Sequence, residues 1–201
     1  MKIGIIGSGD IGDTLGRLFT RCMHKVMFTC QDHDSSQSFI NVDKTRTQLY
    51  GTLEETINYA DVHLLAVPFL EIPDLAKQIK NYAHGKVLID PTVPCSKGED
   101  LLKQEGYTIN QSNEYIQSLF PNSYIAKAFY SCPYELFESK SFRVIEERKL
   151  TIPFTCRNPE VKQILENLIT HLGFLPVFSD QPYSIRLVKD VLKLSPKGRT
   201  I

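Results

Sequence analysis

The sequence predicts an α/β fold in which a mainly parallel sheet is covered on both faces by helices. Three observations support this prediction. The chain opens with an apolar run that leads directly into the glycine-rich segment Gly7–Gly12. Strand-like and helix-like patterns then alternate along the whole chain. Finally, 201 residues, 42% of them hydrophobic, are enough to build a full buried core.

The first strand, Ile3–Ile6, ends in Gly7-Ser8-Gly9-Asp10-Ile11-Gly12, and a helical pattern follows from Thr14 to Cys22. A dinucleotide site requires this order of strand, glycine turn and helix. Gly7 allows the tight turn, Gly9 leaves the backbone open to a pyrophosphate, and Gly12 lets the helix pack closely on its strand. The N–H groups at the helix start then face the phosphates. A purely structural strand–helix turn is the alternative.

Four further strands and two helices are predicted in the first half of the chain. The strands are Lys25–Cys30, Gln48–Tyr50, Asp61–Val67 and Lys86–Asp90, the last ended by the turn Pro91–Pro94. Thr52 and Glu55 have the spacing of a capping box that opens a helix running through Tyr59. A second helix, over residues 72–82, would carry Leu75, Ile79 and Tyr82 on one face.

The second half of the chain continues the alternation. The predicted strands are Tyr124–Phe129, Leu150–Cys156 and Phe174–Phe178, and the predicted helices are Ser112–Phe120, Pro159–Leu172 and Tyr183–Leu194, with a loop over residues 137–148. We therefore expect a Rossmann-type, doubly wound sheet with a small C-terminal α/β extension. Residues 1–201 form a single domain in this interpretation, with a dinucleotide-binding core over residues 1–110 and a smaller substrate-side lobe over residues 111–201.

Composition excludes several other classes of function. Lys and Arg number 23, as do Asp and Glu, so no net charge favours nucleic acid or an acidic membrane. The five cysteines and five histidines lack the spacing of a metal site or a disulfide framework. The apolar start is too short for a signal peptide, and no stretch approaches the roughly 20 apolar residues of a membrane span. We therefore expect a cytoplasmic protein with a small-molecule partner, no metal and no membrane or nucleic-acid partner.

Five short sequence segments follow one another in a characteristic order. They are Ile5–Gly12, Ala66–Pro68, Ile89–Gly98, Lys127–Ser131 and Leu172–Phe174. Their order and spacing resemble the deazaflavin (coenzyme F420)-dependent NADP reductases and their relatives. The likeness extends over nearly the whole chain. It implies an NAD(P)-dependent oxidoreductase that moves hydride between a nicotinamide cofactor and a flavin-like or deazaflavin acceptor. Because the cofactor supplies the chemistry, no catalytic side chain is required.

The resemblance also implies positions for the ligands. It assigns the pyrophosphate contacts to Ser8, Gly9, Asp10 and Ile11. It assigns contacts with the middle of the dinucleotide to Ala66, Val67 and Pro68, and contacts with the nicotinamide to Val93. The acceptor ring would lie against Tyr130, Ser131 and Cys132, in a pocket completed by Thr92, Val93 and Pro94. For Tyr130 a core aromatic is an equal alternative. A homodimer is also implied, and Ile185, Val188, Val191 and Leu192 of the last helix would form its interface or simply core.

Cofactor choice is predicted at the end of the second strand, where the alternation of buried positions brings Cys30 to the place at which NAD enzymes keep an acid. Nothing acidic there repels a 2′-phosphate, but the hydroxyl–arginine pair of the reductases is replaced by Cys30 and Gln31. Lys44 or Arg46 could supply the missing charge or remain solvated, and Asp32 could reach a ribose and favour NAD. The sequence therefore favours NADP over NAD. A non-catalytic dinucleotide sensor or scaffold is the alternative function.

Overall fold

A computed structural model of the protein describes residues 1–30, 48–131, 133–138 and 150–180. The described residues contain eight strands in one sheet of order β3-β2-β1-β4-β5-β6-β7-β8. The strands are β1 (Lys2–Ile6), β2 (Lys25–Thr29), β3 (Gln48–Gly51), β4 (Val62–Leu65), β5 (Val87–Asp90), β6 (Tyr124–Ala128), β7 (Thr151–Cys156) and β8 (Leu175–Phe178). The first six strands run parallel to one another, β7 runs antiparallel to β6, and β8 is parallel to β7. This confirms the predicted mainly parallel, doubly wound sheet.

Seven α-helices lie in the described part of the chain. They are α1 (Asp10–Arg21), α2 (Leu53–Tyr59), α3 (Ile72–Ile79), α4 (Ser96–Gln104), α5 (Ser112–Leu119), α6 (Glu135–Glu138) and α7 (Pro159–His171). The predicted capping box of α2 is formed, since Thr52 and Glu55 each bond the other's backbone N–H. The predicted helix Tyr183–Leu194, with its proposed interface residues, lies outside the described residues. The division of the chain into two lobes stays a prediction.

Several details differ from the predictions. The sequence pattern did not predict α4, and α6 begins just before the predicted loop over residues 137–148. Helix α3 ends at Ile79, so Tyr82 is 47% exposed instead of sharing the buried face of Leu75 and Ile79. Strand β6 ends one residue early because Phe129 has φ +65°, a left-handed conformation that breaks the extended backbone.

Buried side chains cover both faces of the sheet. One hydrophobic cluster joins the sheet to α1, α6 and α7, and the other joins it to α2, α3, α4 and α5. Strand β1 alternates between them, because Ile3 and Ile5 belong to the first cluster and Ile6 to the second. Parallel strands with helices on both sides are buried on both faces, which explains their nearly continuous apolar sequences.

The chain reverses its winding direction at β1. It leaves β1 through α1 towards β2 on one side, and it later enters β4 through α2 on the other side of β1. The carboxyl ends of β1 and β4 therefore border a crevice where the crossovers diverge. In open α/β sheets such a point is where ligands bind.

Candidate functional site

The glycine turn after β1 lies at this crevice. Gly7 has φ +114°, and a Cβ there would collide with the carbonyl group of Ala66. A Cβ on Gly12 would lie 2.7 Å from Cβ of Ala66, so the close packing of α1 also requires a glycine. Gly9, in contrast, has φ −76°, and its Cβ would meet only the Ala66 carbonyl oxygen at 3.6 Å. The fold therefore needs Gly7 and Gly12 but makes no steric demand on Gly9.

Helix α1 presents its amino terminus to the same crevice. Gly9 is the N-cap residue, and the first helical hydrogen bond is donated by the Asp13 N–H to the Gly9 carbonyl, at 3.1 Å. The N–H groups of Asp10, Ile11 and Gly12 therefore precede the helical ladder and carry the positive end of the helix dipole. Because the Ile11 side chain is buried in the core, only its backbone can contribute at the predicted pyrophosphate position.

A cleft of 880 Å³ opens beside this turn, within the size range of small-molecule sites. Six of the predicted cofactor residues line it: Gly7, Ser8, Gly9, Asp10, Cys30 and Val67. The other lining residues are Ile6, Asp13, Arg17, Phe28, Thr29, Tyr50, Thr52, Leu53, Glu71, Asp74, Leu75 and Gln78. The structure thus brings the ends of β1, β2 and β4 together around one space. Gln31, Asp32, Lys44 and Arg46 lie outside the described residues.

Two aromatic rings form the far end of the cleft, next to the end of β2. Phe28 and Tyr50 stack with their ring centroids 5.4 Å apart and an interplanar angle of 21°. Burial is the main cause that raises the pKa of the Tyr50 phenol, and the nearby carboxylate of Asp13 adds to it. The two rings give this part of the cleft an apolar surface beside the charged side chains of Asp13 and Arg17.

The predicted nicotinamide and acceptor residues lie beyond β4, towards β5 and β6. The Ala66 N–H donates to the Ile6 carbonyl at 2.7 Å, which joins the ends of β4 and β1. Pro68 is exposed, whereas Thr92, Val93 and Pro94 are buried. Val93 packs against Tyr130 in a small cluster that also includes Ile109. Tyr130 is only 2% exposed, as the core alternative expects, and Ser131 is half-buried. Cys132 lies outside the described residues.

Sequence reasoning missed a buried ion pair beneath this cluster. Lys127 Nζ lies 2.6 Å from Asp90 Oδ2 and donates a second hydrogen bond to the Thr92 carbonyl at 2.9 Å. Asp90 Oδ1 accepts from the Thr92 N–H at 2.8 Å and from its hydroxyl at 2.7 Å. Lys127 Nζ also lies 5.3 Å from the centroid of the Tyr130 ring. The sequence did contain a signal for this pair, namely one acidic and one basic residue inside two apolar strands. A buried charge needs a partner of opposite charge.

Among the residues that the structure describes, no helix has the length and apolarity needed to cross a membrane. They also contain no group of three or more His, Cys, Asp or Glu side chains placed to hold a metal ion.

Comparison with known proteins points to nicotinamide enzymes. Residues 2–94 match the protein-family model described as NADP oxidoreductase, coenzyme F420-dependent. Over 188 residues the chain is 28% identical to a glycerol-3-phosphate dehydrogenase [NAD(P)+] of Acholeplasma laidlawii, and the match covers 89% of this chain and 53% of that protein. The chain thus spans about half the length of this curated relative.

Solved structures share the fold. A hypothetical protein of Sinorhizobium meliloti superposes with a TM-score of 0.73 at 23% identity, covering 89% of this chain and 84% of that one. A candidate F420-dependent NADP reductase of Arthrobacter sp. FB24 gives a TM-score of 0.67 at 18% identity with the same coverages. Pyrroline carboxylate reductase of Plasmodium falciparum, solved with NADP bound, gives 0.60 at 14% identity, covering 90% of this chain and 58% of that one. Residues 2–94 therefore match the F420-dependent NADP oxidoreductase family, within a Rossmann-like fold that extends beyond them, and the predicted resemblance is confirmed.

Proposed function

We propose that the protein is an NAD(P)-dependent oxidoreductase that transfers hydride between a nicotinamide cofactor and a flavin-like or deazaflavin acceptor. The observation that carries this proposal is the contrast between Gly9 and its neighbouring glycines. Protein atoms occupy the space that a Cβ would need at Gly7 and Gly12, but not at Gly9. Packing therefore does not explain why residue 9 lacks a side chain. A glycine at the open start of α1 would let a phosphate approach the backbone.

The residues of the cleft would hold the cofactor at the carboxyl ends of β1, β2 and β4. The N–H groups at the start of α1 bind the diphosphate, Phe28 and Tyr50 face the adenosine, and Val67 separates the two halves. When bound, the nicotinamide supplies or accepts the hydride. The protein's part is to orient the ring against the turn Thr92–Pro94, which the ion pair of Asp90 and Lys127 holds in place. Orientation of this kind is itself a large contribution to rate.

Turnover with defined acceptors tests the proposal. Purified protein is mixed with NADPH or NADH, and oxidation at the nicotinamide absorbance band is followed with flavin, deazaflavin or a ferric chelate as acceptor. We expect turnover with at least one acceptor, saturating in the dinucleotide. Gly9→Val is the matched control, because it should abolish turnover in a folded protein. Tight dinucleotide binding with no turnover in the presence of any acceptor contradicts the enzymatic proposal.

A non-catalytic dinucleotide sensor is the second candidate, and one observation favours it. The Tyr130 side chain is 2% exposed and packs on Val93, so in this structure its ring contacts protein atoms. A sensor would bind NADPH or NADH with the same cleft but leave no room for an acceptor ring. A crystal structure with bound dinucleotide discriminates the two candidates. Space for a flat ring above the nicotinamide supports the enzyme, and a nicotinamide covered by Tyr130 supports the sensor.

A further inference from the structure

The adenosine end of the cleft holds an arginine that the sequence pattern did not single out. Arg17 lies on the second turn of α1 and pairs with Asp13 one turn earlier. Its Nη2 lies 2.8 Å from Asp13 Oδ2, and its Nε donates to Asp13 Oδ1 at 2.9 Å. This is a two-point contact, which fixes the plane of the guanidinium more firmly than a single ion pair does. Both side chains remain about half exposed, at 49% and 51%.

Close packing between α1 and β2 brings this arginine to the end of β2. A Cβ on Gly16 would collide with the ring of Phe28, so the absence of a side chain lets the helix approach the strand. Arg17 is the next residue, and it lines the cleft together with Thr29, Cys30 and Tyr50. A residue of α1 thus brings a guanidinium to the part of the cleft beside the end of β2.

The charge distribution makes Arg17 the place where an additional phosphate would be held. Among the cleft-lining residues that the structure describes, the acids are Asp10, Asp13, Glu71 and Asp74, and Arg17 is the one cation. A 2′-phosphate on the adenosine ribose carries up to two negative charges and bonds well to a guanidinium fork. The other charged side chains described along this lining are carboxylates, and at Arg17 the guanidinium offsets the charge of Asp13.

We propose that Arg17, oriented by Asp13, binds the 2′-phosphate of NADP(H). The preference for NADP(H) over NAD(H) is then determined by a residue of α1 instead of by the residue after β2. The inference rests on the proposed function, because it assumes that the cleft binds a nicotinamide dinucleotide. It adds a specificity-determining residue to that site.

Dissociation constants of NADPH and NADH, measured by calorimetry for the native protein and for Arg17→Gln, test the inference. Loss of a charge-assisted contact should weaken NADPH roughly tenfold or more, while NADH changes less than about twofold. The fragments 2′,5′-ADP and 5′-AMP should show the same contrast without the nicotinamide half. Arg21→Gln is the matched control, because Arg21 lies one turn further along α1, is exposed and does not line the cleft. It should leave both constants unchanged.

Three results would overturn the inference: a preference of the native protein for NADH, an unchanged NADPH constant in Arg17→Gln, or equal weakening of both coenzymes. Thermal unfolding of each variant shows whether it is folded. Failure of the proposed function has a different outcome, in which the native protein binds neither NADPH nor NADH. The two failures are therefore distinguishable from the native protein alone.

Discussion

The carboxylate of Asp90 and the ammonium of Lys127 lie 2.6 Å apart, and neither side chain is exposed to solvent. The two residues are partners in the register of β5 and β6, and both are bonded to Thr92. The pair therefore does two things at once. It satisfies two buried charges, and it fixes the turn that carries Val93, the residue predicted to contact the nicotinamide.

Removal of one partner should be costly, because the other charge would be left buried and unpaired. We expect Lys127→Met to lower the free energy of unfolding by about 3–5 kcal/mol, as measured by urea denaturation. Lys77→Met is the matched control, since the pair of Lys77 and Asp74 is 75% exposed on both sides. That variant should change stability by less than about 1 kcal/mol. Similar losses in the two variants would contradict the importance given to the buried pair.

The Thr92 hydroxyl should contribute less, because only one of three hydrogen bonds to this residue depends on it. We expect Thr92→Val to lower the free energy of unfolding by about 1 kcal/mol, since the Thr92 N–H still donates to Asp90. A looser turn should slow single-turnover hydride transfer while leaving the dissociation constant of NADPH unchanged. Stopped-flow measurement of both quantities checks this. An unchanged rate of hydride transfer in a folded Thr92→Val protein would contradict the orienting role given to the turn.

Gly9→Val should prevent dinucleotide binding in a protein that still folds. The backbone of Gly9 is extended, and a Cβ there has only an ordinary van der Waals neighbour at 3.6 Å. The valine side chain would instead occupy the path of the diphosphate. Thermal unfolding and calorimetric titration with NADPH measure the two effects. Gly16→Val is the comparison variant, because its side chain would collide with Phe28 and should destabilise the fold. Full NADPH affinity in a folded Gly9→Val protein would exclude this site.

Stability should decrease in mild acid because of His63. This residue lies in β4 with no exposed surface, its Nε2 donates to the Thr56 carbonyl at 3.2 Å, and its Nδ1 has no hydrogen-bond partner among the described residues. Burial is the main cause that lowers its pKa from 6.5 to about 4. The unfolded chain therefore binds a proton first, so stability is lost as the pH falls from 6.5 towards 4.

The size of this acid effect is set by the shift in pKa. His63 alone should account for roughly 3 kcal/mol over that range. Urea denaturation of the native protein and of His63→Gln, at pH 7 and at pH 4.5, measures the difference. The variant should retain the contribution of His24, whose pKa is also lowered to about 4, chiefly by burial. Identical pH dependence in the two proteins would show that His63 is not responsible.

The fold was largely predictable because its strongest elements are local. The glycine turn, the capping box of Thr52 and the alternation of strands and helices each depend on a few neighbouring residues. Helix α4 was missed for the opposite reason. Its interior contains Gly98, a poor helix former, yet a Cβ at that position would lie 2.9 Å from the Phe69 ring. Tertiary packing against a distant residue explains this glycine, and no local pattern reveals it.

Only the part of the candidate site that is formed by backbone groups could be predicted from the sequence. Gly7, Gly9 and the start of α1 follow from the sequence motif, and the structure brings them to the crevice between β1 and β4. Arg17 and the pair of Asp90 and Lys127 depend on which elements become neighbours. Arg17 reaches the end of β2 only because Gly16 allows α1 to approach Phe28, and Asp90 meets Lys127 only because β5 lies beside β6. Neither contact can be derived from sequence spacing.

The different surroundings of the glycines also set how each position can drift among related chains. A lineage that kept the fold but abandoned its coenzyme would still be constrained at Gly7 and Gly12, where added atoms would collide with Ala66. Position 9 would be released from selection, because nothing in the polypeptide itself forbids a larger residue there. The identity of the amino acid at this one position is thus a simple indicator of which descendants retain a working coenzyme pocket.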